Sequence, residues 1–306
     1  MSNSNIGLVI SLLIIGAGLV WLLIRSLQGK EVERRIIFLF IGLSVSVPLL
    51  FNITFSEKAT PIVRAVFDKI ENLPEGSRIL LSFDYGPTMA PEVEPMSDVM
   101  IRHVLAKGHK LYLMGLWATG QSLGSAAVER IIKNDFPNMV DGVDYVNIGY
   151  KAGNQGVLNV IVTDFRKLYS TDVNGRDLDS LPIFNDIKSL KDMDLLISVG
   201  GGFPGVKEWV QFAGDPGNVP TAGGCAAVSA PLLYPYYPSQ LLGLLGGIKG
   251  AAEYESEFKK RYKQFGDMPE PGVKMMGPQT LAHLVIMAFI VIGNLSFFFA
   301  GKGRRK

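Results

Sequence analysis

An uncharged apolar run near the beginning of the chain limits what it can fold into more than any other feature. Residues 6–24 read IGLVISLLIIGAGLVWLLI, nineteen residues without a charge. At a rise of about 1.5 Å per residue, a helix of this length covers about 28 Å, close to the roughly 30 Å of a bilayer's hydrocarbon core. Lipid offers no hydrogen-bond partners to the backbone, so such a run crosses it as a helix. The preceding MSNSN lacks the positive charge of a cleaved signal peptide, which favours a retained anchor.

Two further apolar runs predict two more membrane-spanning helices. The second covers residues 36–55 and contains Pro48 and Asn52, and the third covers residues 281–300 and contains His283 and Asn294. We therefore expect three transmembrane helices, at about 6–24, 36–55 and 281–300. The first two belong to an N-terminal segment, 1–57, and the third to a C-terminal segment, 277–306.

The basic residues beside these runs predict their orientation. The connection between the first two runs and the C-terminal tail are both basic, whereas the residues before the first run carry no charge. These basic residues are Arg25, Lys30, Arg34, Arg35, Lys302, Arg304, Arg305 and Lys306. Short basic segments stay in the cytoplasm. We therefore predict a multi-pass protein of the cell membrane, with the domain 58–276 on the exoplasmic side.

The composition excludes several classes of function. Of the 306 residues, 48% are hydrophobic and 19% are charged, and the net charge is only +2. An average soluble domain has about 25% charged residues, and the apolar excess here lies at the two ends. A nearly neutral chain without a basic stripe has no surface suited to nucleic acid. The single Cys225 excludes an intrachain disulfide and a cysteine metal cluster, and three histidines offer little for a metal site.

The middle segment, 58–276, alternates short apolar runs with amphipathic stretches. Strands are predicted at 78–83, 110–116, 144–149, 194–199 and 219–222. Helices are predicted at 59–73, 97–107, 125–134, 157–168, 183–191, 205–212 and 239–264. Continuous apolar strands separated by helices indicate a parallel sheet covered on both faces. The predicted fold is a doubly wound α/β domain of about five strands, Rossmann-like or flavodoxin-like.

The last predicted helix carries an unusual glycine pattern, Gly243-x-x-x-Gly247 and Gly246-x-x-x-Gly250. Glycine inside a helix costs about 1 kcal/mol relative to alanine, so the pattern needs a packing reason. Small residues at this spacing let two helices approach closely. The partner would be either a second copy of the chain or the sheet of the same domain.

The loops that follow the predicted strands carry the candidate ligand-binding residues, because ligands of open parallel sheets sit beyond the carboxyl ends of the strands. The candidates are Asp84, Tyr85, Thr119, Gln121, Asn154, Gln155, Gly200, Gly201, Gly202 and Gly224. The run 200–202 either cradles an anion with its backbone N–H groups or simply permits a tight turn. The fingerprints of dinucleotide and nucleotide-triphosphate sites are missing, which disfavours NAD and ATP; no cofactor is identified.

Cys225 is the first catalytic candidate. The run Gly223-Gly224-Cys225-Ala226-Ala227 resembles the strand-to-helix elbow of class I glutamine amidotransferase-like domains, and Gly200–Gly202 after DLLISV is similar to their oxyanion-side loop. The resemblance implies a nucleophilic cysteine. The chain departs from the family pattern at Ala227, where the family has glycine. It also lacks the family's histidine partner, since the histidine that follows, His283, lies in the third apolar run.

Asp84 is the second catalytic candidate. With Glu92 or Glu94 it would form an acid–base pair or bind a divalent cation.

Two functions are therefore expected from the sequence. The first is a non-catalytic, membrane-anchored binding or scaffold module in a larger membrane assembly, with the lipid bilayer and other membrane proteins or further copies of itself as partners. The alternative is a membrane-anchored hydrolase or glutamine amidotransferase-like enzyme that uses Cys225 or Asp84.

Overall fold

The computed structural model describes residues 3–28, 32–55 and 57–303. The chain divides into two compact units: Met1–Ser56 with Val273–Lys306, here the helical unit, and Glu57–Gly272, here the α/β unit. Four of the basic residues used above to predict sidedness lie outside the described residues; they are Lys30, Arg304, Arg305 and Lys306.

The described residues form helices and parallel strands in a regular alternation. The α-helices are α1 Asn3–Leu27, α2 Arg34–Leu50, α3 Pro61–Asn72, α4 Ala90–Ala106, α5 Gly120–Ala127, α6 Lys133–Asp135, α7 Gln155–Ile161, α8 Val206–Trp209, α9 Asp215–Gly217, α10 Ala230–Leu233, α11 Gly247–Arg261 and α12 Pro271–Gly303. The strands are β1 Arg78–Asp84, β2 Lys110–Gly115, β3 Tyr145–Tyr150, β4 Leu195–Gly200, β5 Thr221–Cys225 and β6 Gly243–Gly246. Two π-helical turns, Val128–Ile132 and Val210–Gly214, continue α5 and α8.

One helix among the described residues, Pro271–Phe299, is long and apolar enough to cross a membrane, judged by length and composition, and all but its first two residues belong to the helical unit. Only 17% of its most apolar window is buried, unlike the core helix of a soluble protein. Leu13–Leu27 is a shorter apolar helix. Of the three predicted spans, the structure thus supports the third, and its helix begins at Pro271 rather than at Leu281. This finding suggests membrane association.

The three helices of the helical unit contact one another in pairs. Gly18 of α1 faces the ring of Phe40 in α2, where a larger side chain would collide. Phe40 in turn meets Phe289 of α12 edge-to-face, with ring centroids 6.2 Å apart. Ser296 Oγ of α12 donates a hydrogen bond to the Ser26 carbonyl oxygen of α1 at 3.3 Å. The helices therefore pack through a small internal stripe and leave most apolar side chains on the outside.

The α/β unit is built on a six-stranded, fully parallel sheet in the order β3-β2-β1-β4-β5-β6. The strands are almost completely buried, as expected for a parallel sheet covered on both faces. This order is that of dinucleotide-binding doubly wound domains, so the Rossmann-like prediction is confirmed. The flavodoxin-like alternative and the count of about five strands are wrong.

Alternate side chains of the strands fill one large core on each face of the sheet, and a third, smaller cluster includes Cys225 of β5 and Leu244 of β6. In β1, Ile79, Leu81 and Phe83 join the core beneath α3, α4 and α11, whereas Leu80 joins the core on the opposite face. The second core is closed by the chain between β3 and β4 and by Trp209. Part of that chain, predicted as a helix over 183–191, forms only the 3₁₀ turns Pro182–Phe184 and Leu190–Asp192.

The predicted helix 239–264 is wrong in its first part. Residues Gly243–Gly246 form the edge strand β6, and α11 begins only at Gly247, whose φ of +62° turns the chain between them. A Cβ at Gly243 would lie 2.5 Å from the Ile62 carbonyl oxygen, so this glycine lets α3 cross the strand closely. The spaced glycines therefore do not form one helix face, and the close packing found at Gly243 is with α3 of the same domain.

Candidate functional site

The sheet has its topological switch point between β1 and β4, where Asp84 pairs in register with Gly200. The chain leaves β1 towards β2 and leaves β4 towards β5, so the loops after these two strands diverge. In doubly wound domains this divergence opens a crevice at the carboxyl ends of the strands. Rossmann-like domains bind their ligands in that crevice. The residues that follow β1, β2 and β4 therefore determine which ligand could bind at the carboxyl ends of these strands.

Asp84 is fully buried at the base of the crevice and accepts four hydrogen bonds. Its donors are Ser82 Oγ at 2.8 Å, the Leu116 amide at 2.8 Å, Ser198 Oγ at 3.0 Å and Trp209 Nε1 at 2.6 Å. Burial raises the pKa of this carboxyl to about 6, against the lowering effect of the four donors. Four bonds fill the acceptor capacity of a carboxylate. Asp84 thus ties β1 to β4, to the end of β2 and to α8.

The glycine loop after β4 is filled by side chains of the neighbouring loops. A Cβ at Gly200 would lie 2.9 Å from Asp84 Cβ, Gly201 faces Met89, and a Cβ at Gly202 would lie 2.6 Å from the Trp117 ring. The Trp117 indole N–H also donates to the Pro204 carbonyl oxygen at 2.8 Å. The glycines therefore make room for Met89 and Trp117, and these two side chains occupy the place where a bound ligand would meet the loop.

The helix that follows β1 is poorly suited to a phosphate. In dinucleotide-binding domains the N-terminus of this helix receives the pyrophosphate. Here the first turn of α4 contains Pro91, which has no N–H, and Glu92, which is acidic. The Glu92 Oε1 accepts a hydrogen bond from the Ala227 amide at 2.8 Å. The helix end therefore already holds a carboxylate and binds the loop after β5.

A cavity of about 260 Å³ opens beyond the ends of β4 and β5. Its lining residues are Gly200, Gly201, Gly202, Val206, Lys207, Glu208, Cys225, Ser229, Leu232 and Leu233. The Glu208 carboxylate accepts from the Gly205 amide at 2.9 Å and so caps α8 from within. The exposed Lys207 makes no ion pair with any described residue. The described lining of the cavity is thus mainly apolar, and it includes the exposed side chain of Lys207.

Three exposed apolar side chains lie in the two segments that supply the cavity lining, 200–208 and 225–233: Phe203 and Val228 in loops and Leu232 in α10, here the apolar rim. Their exposed fractions are 65%, 86% and 72%. The other exposed large apolar residues described in the α/β unit are Val140, Val143 and Tyr234. Isolated exposed apolar residues are ordinary on a protein surface, whereas contiguous exposed apolar patches are typical of interaction sites.

Cys225 lies at the floor of the cavity and is 1% exposed. Burial raises the pKa of its thiol to about 12, and the Glu92 carboxylate acts in the same direction. The two histidines of the α/β unit are engaged elsewhere: His103 Nδ1 lies 2.7 Å from the Tyr254 hydroxyl, and His109 Nε2 lies 3.0 Å from the Ile70 carbonyl oxygen. The surroundings therefore keep the thiol protonated, whereas a cysteine nucleophile needs a base or a lowered pKa.

We predict that Cys225 reacts very slowly with thiol reagents near neutral pH. Relative to an ordinary cysteine of pKa about 8.5, the thiolate fraction should be lower by at least about a hundredfold. The measurement is the labelling rate of the detergent-solubilised full-length chain as a function of pH, compared with a Val228→Cys variant in a Cys225→Ala background. The Val228→Cys rate should level off above pH 9, whereas the Cys225 rate should keep rising. A Cys225 rate that levels off near pH 7 would contradict this expectation.

The structure distributes the other predicted ligand-binding residues over separate places. Tyr85 is buried with its hydroxyl 3.3 Å from Ser97 Oγ, and Thr119 Oγ1 donates to the Tyr85 carbonyl oxygen at 2.7 Å. Gly224 faces the core, where a Cβ would lie 3.1 Å from a methionine sulfur. Three more are exposed beyond β2 and β3: Gln121, Asn154 and Gln155. Of the ten predicted residues, the cavity brings together only Gly200–Gly202.

The acidic residues predicted to work with Asp84 have partners of their own. Glu94 forms an ion pair with Arg130 at 2.9 Å, and Glu92 caps the loop after β5. Burial raises the pKa of Glu94. Among the described residues, no group of three His, Cys, Asp or Glu side chains could hold a metal ion. The paired-carboxylate hypothesis therefore has no contact to support it.

The sequence analysis did not predict the residues that close the crevice at the carboxyl ends of the strands, or those that form the apolar rim. Met89 and Trp117 close the crevice, and Phe203, Val228 and Leu232 form the rim. Phe203 follows the glycine run within GGGFPG, where a large apolar residue in a turn is a weak signal of exposure. The roles of Met89 and Trp117 have no local signal, because they depend on contacts with a distant loop.

Fold and site together define the class: a Rossmann-like α/β domain whose switch-point crevice is closed by its own side chains. Comparisons of the chain with protein-family models, with curated proteins and with solved structures give no match. The assignment to this class rests on the strand order and on the parallel pairing of the strands in the sheet.

Proposed function

We propose that this protein is a membrane-anchored, non-catalytic binding module, in which the apolar rim of the α/β unit docks another protein of a larger membrane assembly. The observation that carries this proposal is that Phe203, Val228 and Leu232 are all exposed within the two segments, 200–208 and 225–233, that supply the cavity lining. Contiguous exposed apolar surface beside a pocket is characteristic of protein-interaction sites. Lys207, an exposed residue of the cavity lining, favours a partner with an acidic group near its apolar contact.

The anchoring part of the proposal extends to all three apolar runs. The outer surface of the helical unit carries large exposed apolar side chains on each helix, including Leu13 on α1, Phe38 on α2 and Phe297 on α12. Such a surface is suited to lipid rather than to water. The basic residues beside the runs favour a cytoplasmic connection and tail, which would place the α/β unit on the exoplasmic side.

The states of the two catalytic candidates favour binding over catalysis. The Asp84 carboxylate accepts four hydrogen bonds, and the Cys225 thiol is buried, with the Glu92 carboxylate raising its pKa. The alternative, a hydrolase or amidotransferase-like enzyme, has one observation in its favour: Cys225 and Gly200–Gly202 line the same cavity. It needs a general base, and the two histidines of the α/β unit are engaged elsewhere.

We predict that Phe203→Glu and Leu232→Glu separate the protein from its assembly. Burying a Phe or Leu side chain contributes roughly 1.5–3 kcal/mol, so removing it from an interface should weaken association about 10- to 100-fold. The measurement is the size and subunit content of the full-length chain isolated from its native membrane in mild detergent. Val140→Glu is the matched control, because Val140 is an exposed apolar residue outside the rim.

Cys225→Ala distinguishes the two functions in the same experiment. The binding hypothesis expects it to leave the assembly and the cellular phenotype unchanged, whereas the rim variants impair both. The opposite pattern, in which Cys225→Ala removes the phenotype and the rim variants retain it, would refute the binding hypothesis in favour of the enzyme.

A further inference from the structure

Asn294 lies on the side of α12 that faces away from the other two helices. The buried side chains of this part of α12 are Leu281, Val285 and Ile292. With about 100° between successive residues, Asn294 is about 200° from Ile292 around the helix axis. Asn294 is accordingly exposed. A polar side chain thus lies on the outer surface of the helix that is apolar enough to cross a membrane.

The side-chain amide of Asn294 is only partly satisfied. It offers two N–H donors and an acceptor oxygen. One N–H donates to the Ile290 carbonyl oxygen of the preceding turn at 2.9 Å. Among the described residues, the second N–H and Oδ1 have no partner. In lipid, water does not supply the missing bonds, so these groups favour a partner that brings polar atoms of its own.

The surroundings of Asn294 allow another helix to come close. Ile290 and Phe297 are exposed on the same side, one turn before and one turn after Asn294. Gly293 has open space where its Cβ would be, with no atom within 4 Å. Small residues on a membrane helix allow the backbones to approach closely enough for interhelical hydrogen bonds.

We propose that this surface, Ile290, Gly293, Asn294 and Phe297, is the contact between two copies of the chain in the bilayer. A carboxamide is self-complementary, because the N–H of one copy can donate to Oδ1 of the other. A two-fold axis brings the same patch of both copies together and so pairs Asn294 with Asn294. A different protein would need a polar group of its own at the same depth, whereas a second copy has one there.

Disulfide crosslinking of the full-length chain in its native membrane tests this contact. In a Cys225→Ala background, Ile290→Cys and Phe297→Cys should give a disulfide-linked dimer on oxidation. Leu13→Cys and Phe38→Cys are matched controls, because both positions are exposed and apolar on α1 and α2. They should give little or no dimer. Equal dimer from all four positions, or crosslinks only to another protein, would overturn the proposal.

Two substitutions at Asn294 measure the contribution of the amide itself. Interhelical hydrogen bonds in membranes contribute about 0.6 to 2 kcal/mol, so Asn294→Leu should raise the dimer dissociation constant about 3- to 30-fold. Asn294→Gln keeps the amide and should retain most of the dimer. Energy transfer between labelled copies in detergent gives both constants, and an unchanged constant in Asn294→Leu would refute the proposed pairing.

The inference rests on the proposed insertion of α12 in the bilayer, and extraction with carbonate tests that insertion separately. A chain released by carbonate would refute the anchoring. A chain that is retained but does not crosslink at Ile290→Cys or Phe297→Cys would refute only the self-association.

Discussion

Replacing Asp84 with asparagine is expected to lower the free energy of unfolding of the α/β unit by about 2–4 kcal/mol. Two of the four groups that donate to Asp84, the Leu116 amide and the Trp209 indole, are donors only and contact different carboxylate oxygens. Either orientation of the new amide therefore places its NH₂ group against one of them. The measurement is denaturant unfolding of the full-length chain in detergent, followed by tryptophan fluorescence.

Two controls separate this effect from a general loss of charge. Asp194→Asn should cost at most about 1 kcal/mol, because this exposed carboxylate accepts a single backbone hydrogen bond, from Arg78. Adding Trp209→Phe to Asp84→Asn removes one donor, so the double variant should lose less stability than the sum of the single losses. An Asp84→Asn chain as stable as the wild type would show that this network does not hold the domain together.

Gly115→Ala is expected to destabilise the α/β unit by about 3 kcal/mol or more. A Cβ at Gly115 would lie 2.6 Å from Gly120 Cα and 2.7 Å from the Phe83 carbonyl oxygen. All of these are backbone atoms of β1 and of the start of α5, so no side-chain rotation can relieve the collision. The same unfolding measurement gives the loss.

Gly156→Ala is the matched control for this glycine. Gly156 lies in α7 with no atom within 4 Å of its would-be Cβ, so alanine there should be neutral or stabilising, within about 1 kcal/mol. If both variants unfold at the same denaturant concentration, the close approach of β2 and α5 does not limit the fold.

The closed crevice changes what this sheet can be used for. In a dinucleotide-binding domain, glycines after β1 admit a pyrophosphate to the helix N-terminus. In this chain the first turn of the corresponding helix contains Pro91 and Glu92, and Met89 and Trp117 fill the space against Gly201 and Gly202. The accessible surface at this edge is instead the cavity and apolar rim beyond β4 and β5. The strand order is thus that of a dinucleotide-binding domain, while the half-buried side chains of Met89 and Trp117 occupy the usual ligand position.

The sequence predicted that the candidate site lies beyond the carboxyl ends of the strands, but it did not predict which residues form the site. The rule that parallel sheets bind ligands beyond their carboxyl ends led to Gly200–Gly202, which do line the cavity. The same rule also selected Asn154 and Gln155, which follow β3. The strand order places β3 two strands away from β1, and that order is not readable from the alternation of helices and strands.

The strands in the centre of the sheet could be predicted from the sequence because a run of neighbouring apolar residues is enough to identify each of them. The runs 78–83, 110–116 and 194–199 are continuously apolar, and the observed strands β1, β2 and β4 differ from them by about one residue at each end. Strand β6 was missed because four residues, Gly-Leu-Leu-Gly, before an amphipathic stretch look like the first turn of its helix. The parallel pairing of β6 with β5 and the crossing of α3 over Gly243 distinguish the two.

By itself, the sequence determined the apolar segments at the two ends and the alternation that makes a parallel α/β sheet, because hydrophobicity and its period are properties of neighbouring residues. Only the tertiary structure decided what Asp84, Cys225 and the glycine loop do. Their partners are distant in the chain: Trp209, which donates to Asp84, is 125 residues away from it. Whether a carboxylate is free or saturated depends on such contacts, and no local pattern encodes them.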